Sequence, residues 1–455
     1  MKSNLFKQGF LSLVATQFFG AMNDNALKMV LVFMVTPGNP WADQFGSGSV
    51  GFIGFCFAIP FVLLSGFAGQ VADRHSKRTV TRWVKGIEIP IALIGGIGFF
   101  TDNIWITLLA LIALACQSAF FGPAKYGMIP ELVDSSDLSR ANGTINMMTN
   151  VAVILGTWVG GKVFELYRPK PDPPAVGVVV EAAEGMMWLP CAALLAIALA
   201  GFAAMMFMTP LKVGDSNLKY NYNPFSTYVG VIREMSKTRL LMVMMAWGYF
   251  YMLATIALSI IPEYEHVLGV TASEASALMG VLGVSVGIGC AVAGLISGHH
   301  IEPRLVPIGA AGLIVFFVLL AAVEPSLPQL PNQVRVVFSN VGFFIFGAGF
   351  FSGFYIIPLQ SLLQKLSPDE ERGRFLGTAN AVSFSFMAIS GLLFLFTRGM
   401  FDKPQHMFYL CAALMAVGAA FFLWKLRGTG IIFGTKDGDG LADQSTTVSV
   451  ADSTT

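Results

Sequence analysis

Long apolar runs recur along the whole sequence, and they constrain the fold more than any other feature. A helix needs about 20 mainly apolar residues to cross the roughly 30 Å hydrocarbon core of a bilayer. Such runs give twelve predicted spans, at 10–35, 48–72, 79–101, 103–126, 141–164, 185–208, 240–264, 274–298, 303–323, 334–360, 374–399 and 405–426. Because backbone groups in lipid must be satisfied internally, we predict an all-α membrane protein with twelve transmembrane helices.

The composition argues against a water-soluble fold and against a surface for nucleic acid. Charged residues make up 12% of the 455 residues and apolar residues 55%, whereas soluble domains carry roughly 25% charged residues. The formal net charge is +1, so the chain has no strongly basic character; we predict no nucleic-acid partner. The five cysteines lie singly in apolar runs, without the spacing of a metal site or a disulfide framework.

The distribution of Lys and Arg between alternate loops predicts how the chain is oriented. Basic residues are concentrated in the loops on the side of the N-terminus and in the segment after the sixth span. Lys and Arg are retained on the cytoplasmic side of a membrane, so we predict that both termini are cytoplasmic. We also predict two six-helix halves, 1–208 and 240–427, a cytoplasmic connector at 209–239 and a disordered tail at 428–455.

A glycine, an aspartate and a basic cluster lie between the second and third spans. Gly69, Asp73, Arg74 and Arg78 form this pattern, and Ser76 stands at one position within it. The pattern resembles the cytoplasmic signature of the major facilitator superfamily, which usually has Gly where Ser76 stands. The resemblance implies the major facilitator fold, in which the glycine lets helix ends approach and the charges act as a conformational latch between the halves.

Two short sequence echoes support a repeat of one half by the other. Residues 140–144 (Arg-Ala-Asn-Gly-Thr) follow the fourth span, and residues 374–378 (Arg-Phe-Leu-Gly-Thr) follow the tenth. Gly294 repeats the glycine of the loop pattern, but Gly298 stands where the aspartate would be. We therefore expect an asymmetric latch. In transporters built from such repeats, the substrate site lies between the halves near the midplane.

The first predicted span contains charged residues that are costly to place in a membrane. A charge at the centre of a span costs at least about 2.5–3.5 kcal/mol and is a functional candidate for that reason. Asp24 lies about midway, flanked by Asn23 and Asn25, and Lys28 follows one helical turn later on the same face. Asp24, Asn25 and Lys28 could bind a substrate head group or a coupling cation, with the asparagines loosening the helix. Alternatively, Asp24 and Lys28 neutralise each other as a structural pair.

The third and fourth spans contribute further charged residues. Lys125 follows Pro123 near the end of the fourth span, where it could meet an anionic group such as a phosphate. The alternative is a lysine whose amine extends to the membrane interface. Glu88 lies in the third span with Lys85 nearby, and we interpret it as a structural group.

Several of these stretches resemble one transporter family. The matching residues are 17–25 (Gln-Phe-Phe-Gly-Ala-Met-Asn-Asp-Asn), 123–127 (Pro-Ala-Lys-Tyr-Gly), 131–132 (Glu-Leu) and 141–143 (Ala-Asn-Gly). They resemble the bacterial lysophospholipid transporter family of the major facilitator superfamily. Its members flip lysophospholipids, chiefly lysophosphatidylethanolamine, across the inner membrane to the cytoplasmic leaflet, where an acyltransferase re-acylates them.

This resemblance implies a function and a cellular place for the chain. It implies a secondary lysophospholipid transporter in the bacterial inner membrane, with functional roles for Asp24 and Lys125. Transport in the family is linked to an ion gradient, so the implied coupling ion is sodium or a proton and no other cofactor is expected. We expect a monomer among membrane lipids, with any acyltransferase on a separate chain.

Two other classes of function remain to be weighed. A major facilitator transporter for another amphiphilic or small organic solute, such as a drug or siderophore, is the main alternative. A membrane-embedded enzyme would need a nucleophile with a base, or a cluster of metal ligands. The sequence contains no H-E-x-x-H and no paired acids at mid-span, and its G-x-S-x-G at 283–287 lies inside the apolar eighth span, without the strand–turn–helix context that a nucleophile needs. We therefore predict that the chain is not an enzyme.

Overall fold

The fold consists of helices, most of them long enough to cross a membrane. The computed structural model describes residues 7–134, 138–169, 185–211, 220–223, 226–297, 302–367 and 372–427. Within these residues, twelve helices have the length and apolar composition of a membrane span. The predicted all-α protein with twelve transmembrane helices is therefore confirmed. The predicted tail 428–455 lies outside the described residues, as do Gly298 and parts of the predicted connector (212–219 and 224–225).

The first six spanning helices form what we call the N-terminal half. They are α1 (Gln8–Val35), α2 (Ser49–Arg74), α3 (Lys77–Phe100), α4 (Ile104–Leu132), α5 (Leu138–Tyr167) and α6 (Leu189–Met206). A short helix, α7 (Ser226–Met235), follows within the predicted connector. At 10 residues, α7 is too short to cross a membrane, and the search for long apolar runs missed it.

The remaining helices form what we call the C-terminal half. They are α8 (Leu240–Ile260), α9 (Tyr264–Leu268), α10 (Ala272–Ser297), α11 (Leu305–Ala322), α12 (Asn332–Arg335), α13 (Asn340–Leu366), α14 (Arg372–Thr397) and α15 (Met407–Arg427). A single 3-10 turn, Ile261–Glu263, joins α8 to α9, so that one span covers Leu240–Leu268. The division of the chain at 208/209 and 239/240 into separate units stays a prediction.

A three-residue turn separates α3 from α4, although the two apolar runs are almost continuous. The side chain of Asn103 caps α4 by accepting hydrogen bonds from the backbone N–H groups of Trp105 (3.0 Å) and Ile106 (3.2 Å). Asp102 adopts the left-handed region at φ 52°. Its carboxylate accepts hydrogen bonds from Trp41 Nε1 (3.1 Å) and Arg168 Nη2 (2.7 Å). The turn is therefore held by hydrogen bonds to residues that follow α1 and α5.

The two halves are in close contact on the membrane side opposite the N-terminus. Here α2 begins against the last turns of α14, and Gly51 and Gly391 face each other so closely that neither has room for a Cβ atom. On the other flank, α5 packs against α10, where Ser273 Oγ donates a hydrogen bond to Glu165 Oε2 (2.6 Å). Small residues let membrane helices approach at backbone distance, and they bring the two halves together here.

We predict that Gly51→Ala lowers the melting temperature of the detergent-solubilised protein. The added methyl group would overlap the carbonyl oxygen of Gly391, and overpacking of this kind costs about 1–3 kcal/mol. Gly54→Ala, one turn along the same helix, is the matched control, because a Cβ atom there has open space. Equal melting temperatures for the two variants would show that the contact between α2 and α14 is looser than described.

Candidate functional site

Charged side chains from three helices of the N-terminal half come together inside the membrane-spanning region. They are Asp24 and Lys28 of α1, Lys85 and Glu88 of α3, and Lys125 of α4, and we call them the interior charge cluster. Asp24 interacts electrostatically with Glu88, Lys85 and Lys28. Lys125 interacts with Lys85 and Asp24. The structure therefore brings together three predicted site residues, Asp24, Lys28 and Lys125, and adds a pair from α3.

The spanning helices of the C-terminal half contain no comparable cluster. In α8 and α11 there is no charged residue at all. In α10, α13, α14 and α15, every charged residue lies within three positions of a helix end. Among the described helices, the interior of the spanning region is therefore charged in one half and neutral in the other.

Asp24 is bound by α4 rather than by its own helix. Ser118 Oγ donates a hydrogen bond to Asp24 Oδ2 at 2.8 Å, while Asp24 Oδ1 is buried without a hydrogen-bond partner among the described residues. Lys28 forms no ion pair with Asp24 within the described ranges, and its amine lies 5.1 Å from the ring centre of Phe57 on α2. Asp24 and Lys28 therefore interact electrostatically without forming the direct ion pair considered from the sequence.

The asparagines beside Asp24 do not loosen the helix as the sequence suggested. The α1 helix is continuous from Gln8 to Val35. Asn25 Nδ2 donates to the carbonyl of Ala21 at 2.8 Å, within the same helix. Asn23 Nδ2 donates instead to Glu88 Oε1 at 2.8 Å. A role of Asn25 in binding a substrate or an ion stays a prediction, whereas Asn23 contacts the interior charge cluster.

Lys85 and Glu88 form a fully buried ion pair at 2.6 Å, with 1% and 0% of their side chains exposed. Gln117 Nε2 of α4 also donates a hydrogen bond to Glu88 Oε2, at 3.0 Å. Glu88 thus receives donors from α1, α3 and α4. From the sequence, Lys85 and Glu88 are recognisable as charged residues three positions apart in one span. Gln117 and Ser118 are not recognisable as their partners, because uncharged polar residues are common in spans.

Lys125 is buried, with 9% of its surface exposed, so its side chain does not extend to the membrane interface. Its amine lies 4.5 Å from the ring centre of the neighbouring Tyr126. Neither Lys125 nor Lys28 forms an ion pair with a carboxylate in the part of the chain that the structure describes. Both lysines therefore lack a directly paired carboxylate among the described residues, although each interacts electrostatically with Asp24.

Of the four predicted latch residues, Arg74 contacts the connector. The guanidinium of Arg74 lies 4.6 Å from the ring centre of Tyr220. Next to them, Gln70 exchanges two hydrogen bonds with the backbone of Asn221, at 3.0 Å and 2.6 Å. Asp73 is exposed and Arg78 half-buried, and a Cβ atom at Gly69 would have open space. A latch made by Gly69, Asp73, Arg74 and Arg78 across the halves stays a prediction.

Comparison with known sequences finds similarity to membrane transporters along most of the chain. Residues 13–392 match the sequence model described as Major Facilitator Superfamily. The lysophospholipid transporter LplT of Cronobacter sakazakii is 26% identical over 395 residues, covering 84% of this chain and 85% of the relative. LplT of Yersinia pestis (strain Pestoides F) is 24% identical over 424 residues, covering 91% of this chain and 90% of the relative.

Comparison with solved structures shows the fold. A mutant of the nucleoside transporter NupG superimposes with a TM-score of 0.66 at 12% identity, covering 92% of this chain and 99% of that one. A bacterial homologue of the human lysosomal transporter Spinster, solved inward-facing and unoccupied, gives 0.65 at 14% identity, covering 92% and 98%. The predicted major facilitator fold is confirmed.

We predict that Lys85→Met alone lowers the melting temperature strongly, whereas the double variant Lys85→Met/Glu88→Gln recovers most of the loss. Removing one member of a buried ion pair strands the other charge and costs about 3–5 kcal/mol. In the double variant, the new glutamine side chain can still exchange hydrogen bonds with Asn23 and Gln117, and no charge is stranded. Thermal unfolding in detergent measures both. If the falls in melting temperature from the two substitutions simply added in the double variant, Lys85 and Glu88 would not form the buried ion pair described.

Proposed function

Because the chain belongs to the major facilitator superfamily and is a secondary transporter, not an enzyme, we propose that its substrate is a lysophospholipid. The transporter takes lysophospholipids such as lysophosphatidylethanolamine across the bacterial inner membrane to the cytoplasmic leaflet by alternating access. Both termini are cytoplasmic in this proposal, and Gly69, Asp73, Arg74 and Arg78 latch one of the two states. The similarity to lysophospholipid transporters named LplT, at 24–26% identity over most of the chain, supports the substrate class.

The observation that carries the proposal is the pair of lysines in the interior charge cluster, Lys28 and Lys125, that form no ion pair among the described residues. The cluster has three lysines for two carboxylates, so its formal charge is +1 when all five groups are ionised. Lys85 forms an ion pair with Glu88, so Lys28 and Lys125 are the lysines that can bind an incoming anion. A lysine amine binds a phosphate through charge-assisted hydrogen bonds, and a lysophospholipid carries one phosphate in its head group.

An aromatic path leads from this head-group site to the other half of the protein. The amine of Lys28 lies over Phe57, whose ring centre is 5.6 Å from that of Phe61. Phe61 in turn stacks on Phe384 of α14, with ring centres 4.3 Å apart and planes at 4°. Such a row of rings offers an apolar surface for one acyl chain beside a polar site for the phosphate.

Asp24 is the proposed site of the coupling ion or of the amine in the head group. Its Oδ1 atom has no hydrogen-bond partner among the described residues, and a buried carboxylate oxygen of this kind is costly unless a ligand or a proton satisfies it. Sodium, a proton or a substrate ammonium group would each give Asp24 Oδ1 the partner that it lacks among the described residues. The charges of the site thus match a zwitterionic head group, with lysines for the phosphate and a carboxylate for the amine.

We predict that Lys28→Met and Lys125→Met each lower uptake of labelled lysophosphatidylethanolamine about tenfold or more, because a hydrogen bond to a charged group contributes about 1.5–3 kcal/mol. The measurement is the initial rate in spheroplasts that lack their own transporter, at equal membrane expression. Lys425→Met is the matched control, since the amine of Lys425 also lies over a ring, that of Trp424, but at an exposed helix end.

The same assay separates the main alternatives. Asp24→Asn should abolish uptake or its dependence on the ion gradient. Wild-type uptake no higher than in the empty-vector control would refute the lysophospholipid proposal and favour another amphiphilic or small organic solute. Wild-type rates in both lysine variants would keep the substrate but refute the proposed phosphate site.

A further inference from the structure

Glu88 lies at the junction of three helices of the N-terminal half. Its Oε1 atom accepts a hydrogen bond from Asn23 of α1 at 2.8 Å. Its Oε2 atom accepts from Lys85 of its own helix at 2.6 Å and from Gln117 of α4 at 3.0 Å. A carboxylate with no exposed surface and three donors is fixed in one orientation. Glu88 therefore holds α1 and α4 at a defined separation.

The residues that follow these two amides in sequence form the next contact between the same helices. Asn23 is followed by Asp24, and Gln117 is followed by Ser118, whose hydroxyl donates to Asp24 Oδ2 at 2.8 Å. The contact made through Glu88 and the contact between Asp24 and Ser118 are thus adjacent. We therefore expect a change at Glu88 to affect Asp24, because the two contacts are one residue apart on α1 and on α4.

Lys85 is shared electrostatically between two carboxylates. Among the lysines around Asp24, Lys85 interacts with it more strongly than Lys28 does. Its amine nevertheless binds Glu88, and Gly20 of α1 makes this position possible. A Cβ atom at Gly20 would overlap the amine of Lys85. The geometry thus directs the lysine to Glu88 and leaves Asp24 Oδ1 without a partner among the described residues.

We propose that Glu88 is a positioning residue that sequesters Lys85, so that Lys85 does not pair with Asp24. When Glu88 loses its charge, the remaining carboxylate of the interior charge cluster is Asp24, with which Lys85 already interacts. The stranded amine should turn to it, because a buried charge without a partner is unfavourable. Asp24 would then be occupied by an internal lysine and closed to an ion or substrate. The inference rests on the proposed role of Asp24 in transport and assigns the control of that role to Glu88 and Lys85.

The first test is rescue of transport by removal of the competing amine. Glu88→Gln should lower the initial rate of lysophosphatidylethanolamine uptake about tenfold or more, because Lys85 occupies Asp24. The double variant Lys85→Met/Glu88→Gln should transport at close to the wild-type rate, since Lys85 is no longer there to capture Asp24. If Glu88 only braced the helices, removing Lys85 as well would bring no recovery. The proposal would be overturned if the double variant had a wild-type melting temperature but its rate of uptake did not recover.

The second test needs no substrate and uses coupling between Asp24 and Lys85. In the wild-type background, Asp24→Asn should change the melting temperature little, because Asp24 has no ion pair within the described ranges. In the Glu88→Gln background, the same change should cause a large further fall, because it removes the new partner of Lys85. Non-additivity of this kind measures a direct interaction between residues. Equal effects of Asp24→Asn in both backgrounds would overturn the proposal.

A variant that keeps both charges covers the case in which Glu88→Gln does not fold. Gly20→Ala should displace the amine of Lys85 from Glu88 and lower uptake, whereas Gly20→Ala in the Lys85→Met/Glu88→Gln background should have no such effect. Gly122→Ala is the matched control, because a Cβ atom there meets nothing within 4 Å. Equal uptake by the Gly20→Ala and Gly122→Ala variants would contradict the proposed placement of Lys85.

The two tests also separate this inference from the proposed function. If wild type does not take up the lysophospholipid but the melting temperatures show the predicted coupling, the substrate is wrong and the role of Glu88 stands. If wild-type uptake is clear but neither rescue nor coupling is found, the substrate stands and the role of Glu88 is refuted.

Discussion

A charge buried in the spanning region must be balanced close by, and the arrangement of the N-terminal half depends on this constraint. Each uncompensated charge at mid-membrane costs at least about 2.5–3.5 kcal/mol. Lys85 and Glu88 satisfy the requirement between themselves, with two amides completing the hydrogen bonds of the carboxylate. Such a pair adds little stability over apolar residues of the same volume. What it provides is a fixed position for the helices that carry Asp24, Lys28 and Lys125.

The C-terminal half meets the same constraint by keeping its charges near the ends of its helices. A buried pair in this half joins Glu263 to Arg398, with the guanidinium Nη2 atom 2.7 Å from the carboxylate. This pair links the turn after α8 to the turn after α14, on the side where the two halves are in close contact. Among the described helices, the N-terminal half therefore carries charged groups in its interior, whereas the C-terminal half has mainly aromatic and aliphatic side chains there.

The sequence predicted the spans well because membrane crossing is decided by the length of an apolar run. It missed α7, which is short and lies in a polar segment. It also gave Asp24, Lys28 and Lys125 as candidates, because charged residues are rare in apolar runs, and the structure brings the three together. It could not give their partners. Asp24 binds Ser118, 94 residues away in the chain, and not the neighbouring Lys28, whose side chain turns to Phe57. Contacts of this kind depend on how helices pack, which periodicity does not encode.

The proposed division of labour, in which the N-terminal half holds the phosphate while the acyl chain follows the aromatic rings, is tested most directly by a cryo-EM structure with bound lysophosphatidylethanolamine. We expect phosphate density within hydrogen-bond distance of the amines of Lys28 and Lys125. We also expect acyl density along Phe57, Phe61 and Phe384. A phosphate bound in the C-terminal half, or a lipid seated only on the outer surface of the helices, would contradict this division.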